Sequence, residues 1–180
     1  MGALLKEQIY TIDDIYALPD GERAELIDGQ IYYMSPPSRR HQKLVNRLSQ
    51  QITNYIDSKN GSCEVYPAPF AVFLNKDDKN YVEPDISVIC DTSKLNDRGC
   101  VGSPDWIIEI VSPSSKYMDY FTKSVKYRNA GAKAYLIVDP LKNHIIAYYF
   151  EGETMEQYTF SDKVKVSIYS DLEIDFSKIN

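Results

Sequence analysis

The sequence has little histidine, cysteine and glycine, and these shortages argue against several kinds of site. Two histidines, His41 and His144, occur in 180 residues, so a histidine-based zinc site has little support. No glycine-rich phosphate loop and no G-x-S-x-G elbow is present, which argues against P-loop and dinucleotide binding and against a Ser-His-Asp hydrolase. The three cysteines, Cys63, Cys90 and Cys100, lack metal-ligand spacing and are odd in number. We therefore expect free thiols in a cytoplasmic protein.

Long apolar runs and an excess of basic residues are also missing. No run approaches the roughly 20 apolar residues that a membrane helix needs, and residues 1–10 lack the apolar segment of a signal peptide. We expect no membrane association. The chain has 20 lysines and arginines against 26 aspartates and glutamates, a formal net charge of −6. This balance counts against a broadly basic nucleic-acid-binding surface, although it allows a local basic patch.

The residues that are present suit one globular domain with a real core. Apolar residues make up 43% of the chain, and its length predicts a single domain over residues 1–180. Periodicity predicts a mixed α/β (α+β) fold with a central mixed β-sheet flanked by helices. The predicted elements are an N-terminal hairpin over 24–34 that turns at Asp28-Gly29, helices over 38–57 and about 117–129, and a C-terminal antiparallel meander over 144–151, 155–160 and 164–168.

Two acidic residues interrupt apolar strand patterns in the middle of the chain. Asp85 lies in segment 82–90 and Glu109 in segment 104–111, and we expect these segments to form neighbouring strands. A lone carboxylate in a core strand is costly unless it is paired, hydrogen-bonded or bound to a metal. Carboxylates suit Mg²⁺, and the backbone carbonyl of Ile110 would be a natural additional ligand. The simpler alternative is that Asp85 caps or forms a salt bridge while Glu109 pairs with a lysine.

Lys123, on the second predicted helix, is the third candidate. Asp119 and Lys123 are i, i+4 neighbours, and Tyr127 continues the same face. A lysine aimed at a bound water and a phosphate could orient the nucleophile and offset developing charge. The simpler interpretation is an exposed helix lysine paired with Asp119. By the same reasoning Glu25 alone indicates a solvated strand acid, and His41 a histidine satisfied within the core.

Taken in order, these segments resemble the PD-(D/E)XK nuclease superfamily, and more closely its Uma-type restriction endonuclease family. The resemblance implies a restriction-endonuclease-like core in which Asp85 and Glu109 bind Mg²⁺, with Mn²⁺ able to substitute. Val111 stands where the superfamily pattern places its lysine. The matching residues are 25–29, 34–37 with His41, 84–88, 109–114, 123–127, Gly131 and 138–140.

The resemblance also implies roles for the remaining candidates. Lys123 takes the place of the missing lysine and assists the attacking water, while Glu25 is an added acid near the metal. His41 and Tyr127 match family positions and are accessory candidates. The implied activity is that of a metal-dependent endonuclease that hydrolyses phosphodiester bonds in nucleic acid, with DNA as the expected substrate.

Oligomeric state and alternative functions follow from the same considerations. A duplex cut would need two active sites, so we expect a homodimer. Two alternatives remain open: a non-catalytic interaction protein that retains the nuclease fold, and a metal-dependent hydrolase of a smaller phosphodiester. Cations for phosphate binding would have to come from local groups, namely Arg39, Arg40, Lys43 and Arg47, or Lys116, Lys123 and Lys126.

Overall fold

The computed structural model describes residues 8–179, which form two six-stranded sheets, one two-stranded sheet and a few helices. In chain order the elements are α1 (Ile12–Tyr16), β1 (Ala24–Ile27), β2 (Gln30–Tyr33), α2 (Arg39–Ser58), β3 (Glu64–Pro67), β4 (Val72–Phe73), β5 (Tyr81–Val82), β6 (Ile86–Ile89), a 3₁₀ turn (Thr92–Lys94), β7 (Leu95–Asn96), β8 (Gly99–Val101), β9 (Trp106–Ile110), a π-helical turn (Met118–Thr122), α3 (Lys123–Asn129), β10 (Ala134–Asp139), β11 (His144–Tyr149), β12 (Thr154–Thr159), β13 (Lys163–Lys165), β14 (Glu173–Asp175) and a final 3₁₀ turn (Phe176–Lys178).

The central sheet has the strand order β12-β11-β10-β9-β6-β3. Strands β9 and β10 are parallel and the other pairs are antiparallel, so the sheet is mixed, as predicted. Both parallel strands are buried along their whole length, which explains their nearly continuous apolar sequences. The acid in β9, Glu109, is thereby placed at the centre of the molecule.

Helix α2 covers one face of the central sheet and α3 lies on the other. Ser38 caps α2 by accepting a hydrogen bond from the His41 backbone N–H at 3.2 Å, and the buried stripe of α2 packs against Ile108 and Ile110 of β9. Because side chains alternate along a strand, Ile107 and Glu109 point to the opposite face, where Tyr127 of α3 lies. This alternation determines which helix contributes to the site.

The predicted hairpin forms, and it begins the second six-stranded sheet. Asp28 and Gly29 both have positive φ, at 51° and 77°, as a two-residue type I′ turn requires. Strand β1 pairs with β2 on one side and β5 on the other. The hairpin sheet has the order β2-β1-β5-β4-β8-β7, and it brings Glu25 toward the central sheet.

The strand predicted over residues 82–90 is in fact two strands in different sheets. Strand β5 ends at Val82 and β6 begins at Ile86. Pro84 has no N–H to donate to a strand ladder. The N–H groups of Glu83 and Asp85 donate to side-chain carboxylates instead, at 3.0 and 3.2 Å. The prediction of one continuous strand was wrong, and the break places Asp85 at the junction between the sheets.

The C-terminal meander was predicted correctly only for its first hairpin. Strands β11 and β12 pair antiparallel, but β13 leaves the central sheet and pairs with β14. Phe160 is buried directly after β12, and Asp162 accepts hydrogen bonds from the N–H and hydroxyl of Thr159. This turn directs the chain away from the edge of the sheet, so a third meander strand does not form.

The prediction of three free thiols was also wrong. Cys63 and Cys90 form a disulfide, and Cys100 is the free, buried cysteine. Glu64 and Ile89 are partners in the β3–β6 ladder, so the register places Cys63 and Cys90 opposite each other at its end. The expectation of a cytoplasmic protein therefore loses the support of the cysteines. Within residues 8–179, no helix has the length and apolar character to cross a membrane.

Candidate active site

The two strand acids meet where β6 and β9 pair. Ile86 lies opposite Ile108 in the antiparallel register, which sets Asp85 beside the end of β9. The Asp85 N–H donates to Glu109 Oε2 at 3.2 Å, and the Ile110 N–H donates to Asp85 Oδ2 at 2.8 Å. The two segments lie side by side as expected, although Asp85 directly precedes β6 and is not part of it.

Lys123 is buried between carboxylates rather than exposed on a helix surface. Its Nζ lies 2.9 Å from Glu109 Oε1 and 2.8 Å from Glu25 Oε2, and only 4% of the residue is exposed. Burial by itself lowers the pKa of Lys123, but the charges of Glu109, Glu25 and Asp119 outweigh it and hold this pKa well above 10.5. Lys123 is therefore an ammonium at neutral pH, a hydrogen-bond donor and not a base.

Glu25 belongs to this cluster although it is distant in sequence. It lies on β1, is buried, and accepts hydrogen bonds from Lys123 Nζ at 2.9 Å and from the Glu83 N–H at 3.0 Å. A free-standing solvated acid, the simpler interpretation of its sequence context, is not what the structure shows. Because β1 pairs with β5, Glu83, which directly follows β5, lies beside Glu25. The Glu83 N–H holds the Glu25 carboxylate next to Lys123.

His41 and Tyr127 each bond to one of the strand acids. His41 Nε2 lies 3.1 Å from Asp85 Oδ2, and the Tyr127 hydroxyl donates to Glu109 Oε1 at 2.7 Å. Burial lowers the pKa of His41, but hydrogen bonding to Asp85 and its charge raise it more, so the net shift is upward. Burial and the Glu109 charge raise the pKa of Tyr127 well above 10. Tyr127 therefore remains a neutral donor.

A fourth carboxylate, Asp119, lines the cluster and was not assigned a site role from the sequence. Asp119 is 1% exposed, its Oδ1 lies 3.7 Å from Lys123 Nζ, and that oxygen has no hydrogen-bond partner within residues 8–179. Burial raises its pKa to about 6, although Lys123 and Ser115 act in the opposite direction. The i, i+4 spacing to Lys123 was the available signal, but it indicated only a surface pair.

The helix that carries Asp119 and Lys123 starts with an unusual turn. The predicted helix over about 117–129 consists of the π-helical turn Met118–Thr122 followed by α3. Single π turns inside helices are frequent at functional sites. Here the turn contains Asp119 and ends directly before Lys123, so both side chains enter the cluster. The sequence carries no signal for the π turn.

The charge balance of the cluster is negative. Four carboxylates, those of Glu25, Asp85, Glu109 and Asp119, surround one lysine and one histidine. Burial raises the pKa of Glu109 well above 4.5 even though Lys123 opposes this shift. A divalent cation stabilises a folded protein most where negative charge is concentrated and buried.

The residues fit Mg²⁺ as a partly solvated ion rather than a fully caged one. No group of three or more His, Cys, Asp or Glu side chains within the described part of the chain is arranged to hold a metal. Mg²⁺ often takes only one or two carboxylates and completes its shell with waters and substrate phosphates. Asp85 and Glu109 meet that smaller requirement. The Ile110 backbone, the third predicted ligand, lies against His41 and helps to raise its pKa.

The cluster opens into a cleft of about 740 Å³. One wall comes from β2 and the segment that leads into α2, and the opposite wall comes from residues 110–115 and the π-helical turn. The cleft is therefore large enough for a small organic ligand or a short stretch of a polymer. All four carboxylates and Lys123 lie on its surface.

Comparisons with known proteins establish the family. The family model Uma2, described as "Putative restriction endonuclease", matches residues 12–177. The chain belongs to the Uma2 family, and the resemblance inferred from the ordered motifs is confirmed.

Two curated relatives and one solved structure extend this result. Uncharacterized protein slr1290 from Synechocystis sp. is 31% identical over 149 residues, covering 81% of this chain and 77% of that protein. Uncharacterized protein sll1609 from the same organism is 24% identical, covering 88% and 87%. The crystal structure of a protein described as a putative nuclease belonging to DUF820, from Anabaena variabilis, matches with a TM-score of 0.76 at 18% identity, covering 94% of this chain and 96% of that one. The fold is therefore restriction-endonuclease-like, as predicted.

Proposed function

We propose that this protein is a metal-dependent endonuclease that hydrolyses phosphodiester bonds in nucleic acid, with DNA as the expected polymer. The observation that carries the proposal is the buried Lys123, which bonds to Glu25 and Glu109 beside Asp85 at the base of an open cleft. A purely structural core would gain more from apolar residues than from three buried acids around one lysine. Membership of the Uma2 family supports the same activity.

In this proposal Asp85, Glu109 and the Ile110 carbonyl would hold Mg²⁺ or Mn²⁺. The bound ion supplies Lewis-acid polarisation of the phosphate and lowers the pKa of a water. Lys123 donates hydrogen bonds from a permanently charged ammonium, so it can orient the attacking water and offset charge on the phosphate oxygens. Glu25 holds the ammonium in place from the other side.

The accessory residues adjust the two strand acids. His41 bonds to Asp85, and Tyr127 donates to the same Glu109 oxygen that Lys123 contacts. Both contacts limit the rotamers of the acids and so preorganise them. A homodimer would provide the two active sites that a cut through both strands of a duplex requires.

The test is cleavage of supercoiled plasmid and of single-stranded DNA with Mg²⁺, Mn²⁺ or chelator. We expect metal-dependent cleavage that falls by about 100-fold or more in Asp85→Asn, Glu109→Gln and Lys123→Met, because each removes a charge from the reacting centre. Lys126→Met is the matched control: Lys126 lies on the same helix but pairs with Asp28 outside the cluster.

Circular dichroism distinguishes lost chemistry from lost folding in these variants. Calorimetric titration with Mn²⁺ examines the metal separately, and Glu109→Gln should bind it more weakly than the wild type. Absence of metal-dependent cleavage of any nucleic acid by the folded wild type would refute the proposed activity. Full activity in Asp85→Asn would refute its assignment to this site.

A further inference from the structure

Exposed aromatic side chains occur on the hairpin wall of the cleft. Tyr32 and Tyr33 of β2 both line it, with 39% and 66% of their surfaces exposed. Tyr32 lies directly opposite Glu25 in the β1–β2 register, and residues opposite each other in an antiparallel pair project from the same face. One tyrosine ring therefore stands on the same side of the sheet as the carboxylate that holds Lys123.

A second pair of exposed rings lies next to residues of the cleft but does not line it. Tyr117 and Phe121 are 70% and 62% exposed, and their ring centroids are 5.4 Å apart. They flank the π-helical turn residues Met118 and Asp119, which line the cleft. The hairpin tyrosines are therefore the exposed rings that line the cleft itself.

A short row of cations starts at the same cleft. Arg40, Lys43 and Arg47 are exposed and lie on one face of α2 at i, i+3 and i+7. Arg40 lines the cleft, and the row extends from it by about 10 Å at 1.5 Å per residue. Within residues 8–179 neither Lys43 nor Arg47 forms an ion pair with a carboxylate; Arg47 donates to Gln50.

We propose that the cleft takes its nucleic acid as a single strand, with unpaired bases stacked on the hairpin tyrosines and phosphates placed along Arg40, Lys43 and Arg47. A basic row combined with exposed aromatic faces is how strand-binding proteins hold their ligand. Duplex binding depends on many phosphate contacts, and a chain with a net charge of −6 offers few cations for them. Paired bases also present edges, not faces, to a protein.

This substrate assignment rests on the proposed nuclease function for the location of the site and specifies the form of its substrate. A single strand needs only one active site for a cut, so the assignment does not require a second protomer. Binding itself needs no hydrolysis, and it is therefore measured in chelator, where a failure of catalysis has no effect on the result.

The experiment is fluorescence anisotropy with labelled oligonucleotides of about 15 nucleotides, within the range of strand-binding sites. Three arms use single-stranded DNA, single-stranded RNA and duplex DNA of the same sequence. We expect at least one single strand to bind about 10-fold tighter than the duplex. Tyr32→Ser should weaken that binding by about 5- to 150-fold, the range that corresponds to one lost base stack. Tyr16→Ser, at an exposed tyrosine that does not line the cleft, is the matched control.

The charge row is tested through the salt dependence of binding. Replacing Arg40, Lys43 and Arg47 with Gln should reduce the slope of log K against log salt by about 2, since each contact to a single strand contributes about 0.7. The control replaces Lys163, Lys165 and Lys178 with Gln, which removes the same charge from the C-terminal strands and turn.

The possible results separate the two proposals. Duplex binding as tight as strand binding, no binding of either single strand, or a loss no larger in Tyr32→Ser than in Tyr16→Ser would overturn the single-strand assignment. Tight strand binding without any metal-dependent cleavage would refute the nuclease proposal while leaving the strand-binding surface established. Preference for either DNA or RNA supports the assignment and identifies the polymer.

Discussion

Asp119→Asn should make the folded protein more stable at pH 8. Asp119 is almost fully buried, and burial raises its pKa from 3.8 to about 6. The difference, 6 − 3.8, is about 2 units, and at 1.36 kcal/mol per unit the ionised carboxylate costs the folded state about 3 kcal/mol. Asparagine has a similar shape and no charge, so it removes most of that cost. The expected gain in the free energy of unfolding at pH 8 is about 2 to 3 kcal/mol.

The sign of the pH dependence makes this prediction specific. A carboxyl with a raised folded-state pKa binds more protons in the folded than in the unfolded chain between pH 4 and 6, so its contribution to stability falls as pH rises through that window. The advantage of Asp119→Asn should therefore shrink to about 1 kcal/mol at pH 4.5. Urea unfolding at the two pH values measures it. Asp57→Asn, at an exposed position on α2, is the control and should change stability by less than about 0.5 kcal/mol.

Two results would refute this reasoning. One is a variant no more stable than the wild type at pH 8, which would mean that Lys123 fully compensates the buried charge. The other is a gain that does not depend on pH, which would indicate a packing effect. A stabilised variant with reduced cleavage activity would show that the energetic cost of Asp119 is retained for function, as is common at active sites.

Two further predictions concern His41 and the disulfide. In metal-free protein, NMR titration of His41 should give a midpoint above 6.5, and this midpoint should fall in Asp85→Asn; substitution of His144 identifies the His41 signal. Because the pKa of His41 is raised in the folded state, its pair with Asp85 stabilises the fold at low pH, and that stabilisation is lost as pH rises through the raised pKa. A midpoint at or below 6.5 would contradict the contact. Replacing Cys63 and Cys90 with Ala should lower the free energy of unfolding by about 3 to 4 kcal/mol, since the disulfide closes a loop with a sequence separation of 27. Equal stability of this variant and the oxidised wild type in urea would contradict it.

Local sequence signals were sufficient where the interaction is itself local. The Asp28-Gly29 turn and helix α2, with its Ser38 cap and apolar stripe, depend on residues within a few positions of one another, and both elements formed as predicted. The same holds for the apolar run of β9, whose interrupting acid was recognisable from its neighbours. These elements depend on backbone geometry and side-chain periodicity, which are readable from a single segment.

Other features depended on contacts between distant segments. The strand break at Glu83-Pro84-Asp85 exists because two backbone N–H groups bond to side chains from β1 and β9. The disulfide exists because the β3–β6 register aligns Cys63 and Cys90. Neither partner is visible from the local pattern, so the sequence predicted a continuous strand and free thiols.

For the candidate site, the sequence by itself determined which residue types were available and that Asp85 and Glu109 needed a partner, because an isolated carboxylate in an apolar strand is costly. Only the tertiary structure decided that Glu109 pairs with Lys123 and Asp85 with His41. It also brought Glu25 in from another sheet and buried Asp119 beside them. The physical reason is that burial and charge pairing depend on the assembled structure. The same lysine is a solvated cation on an isolated helix and a fixed ammonium once three carboxylates and two sheets surround it.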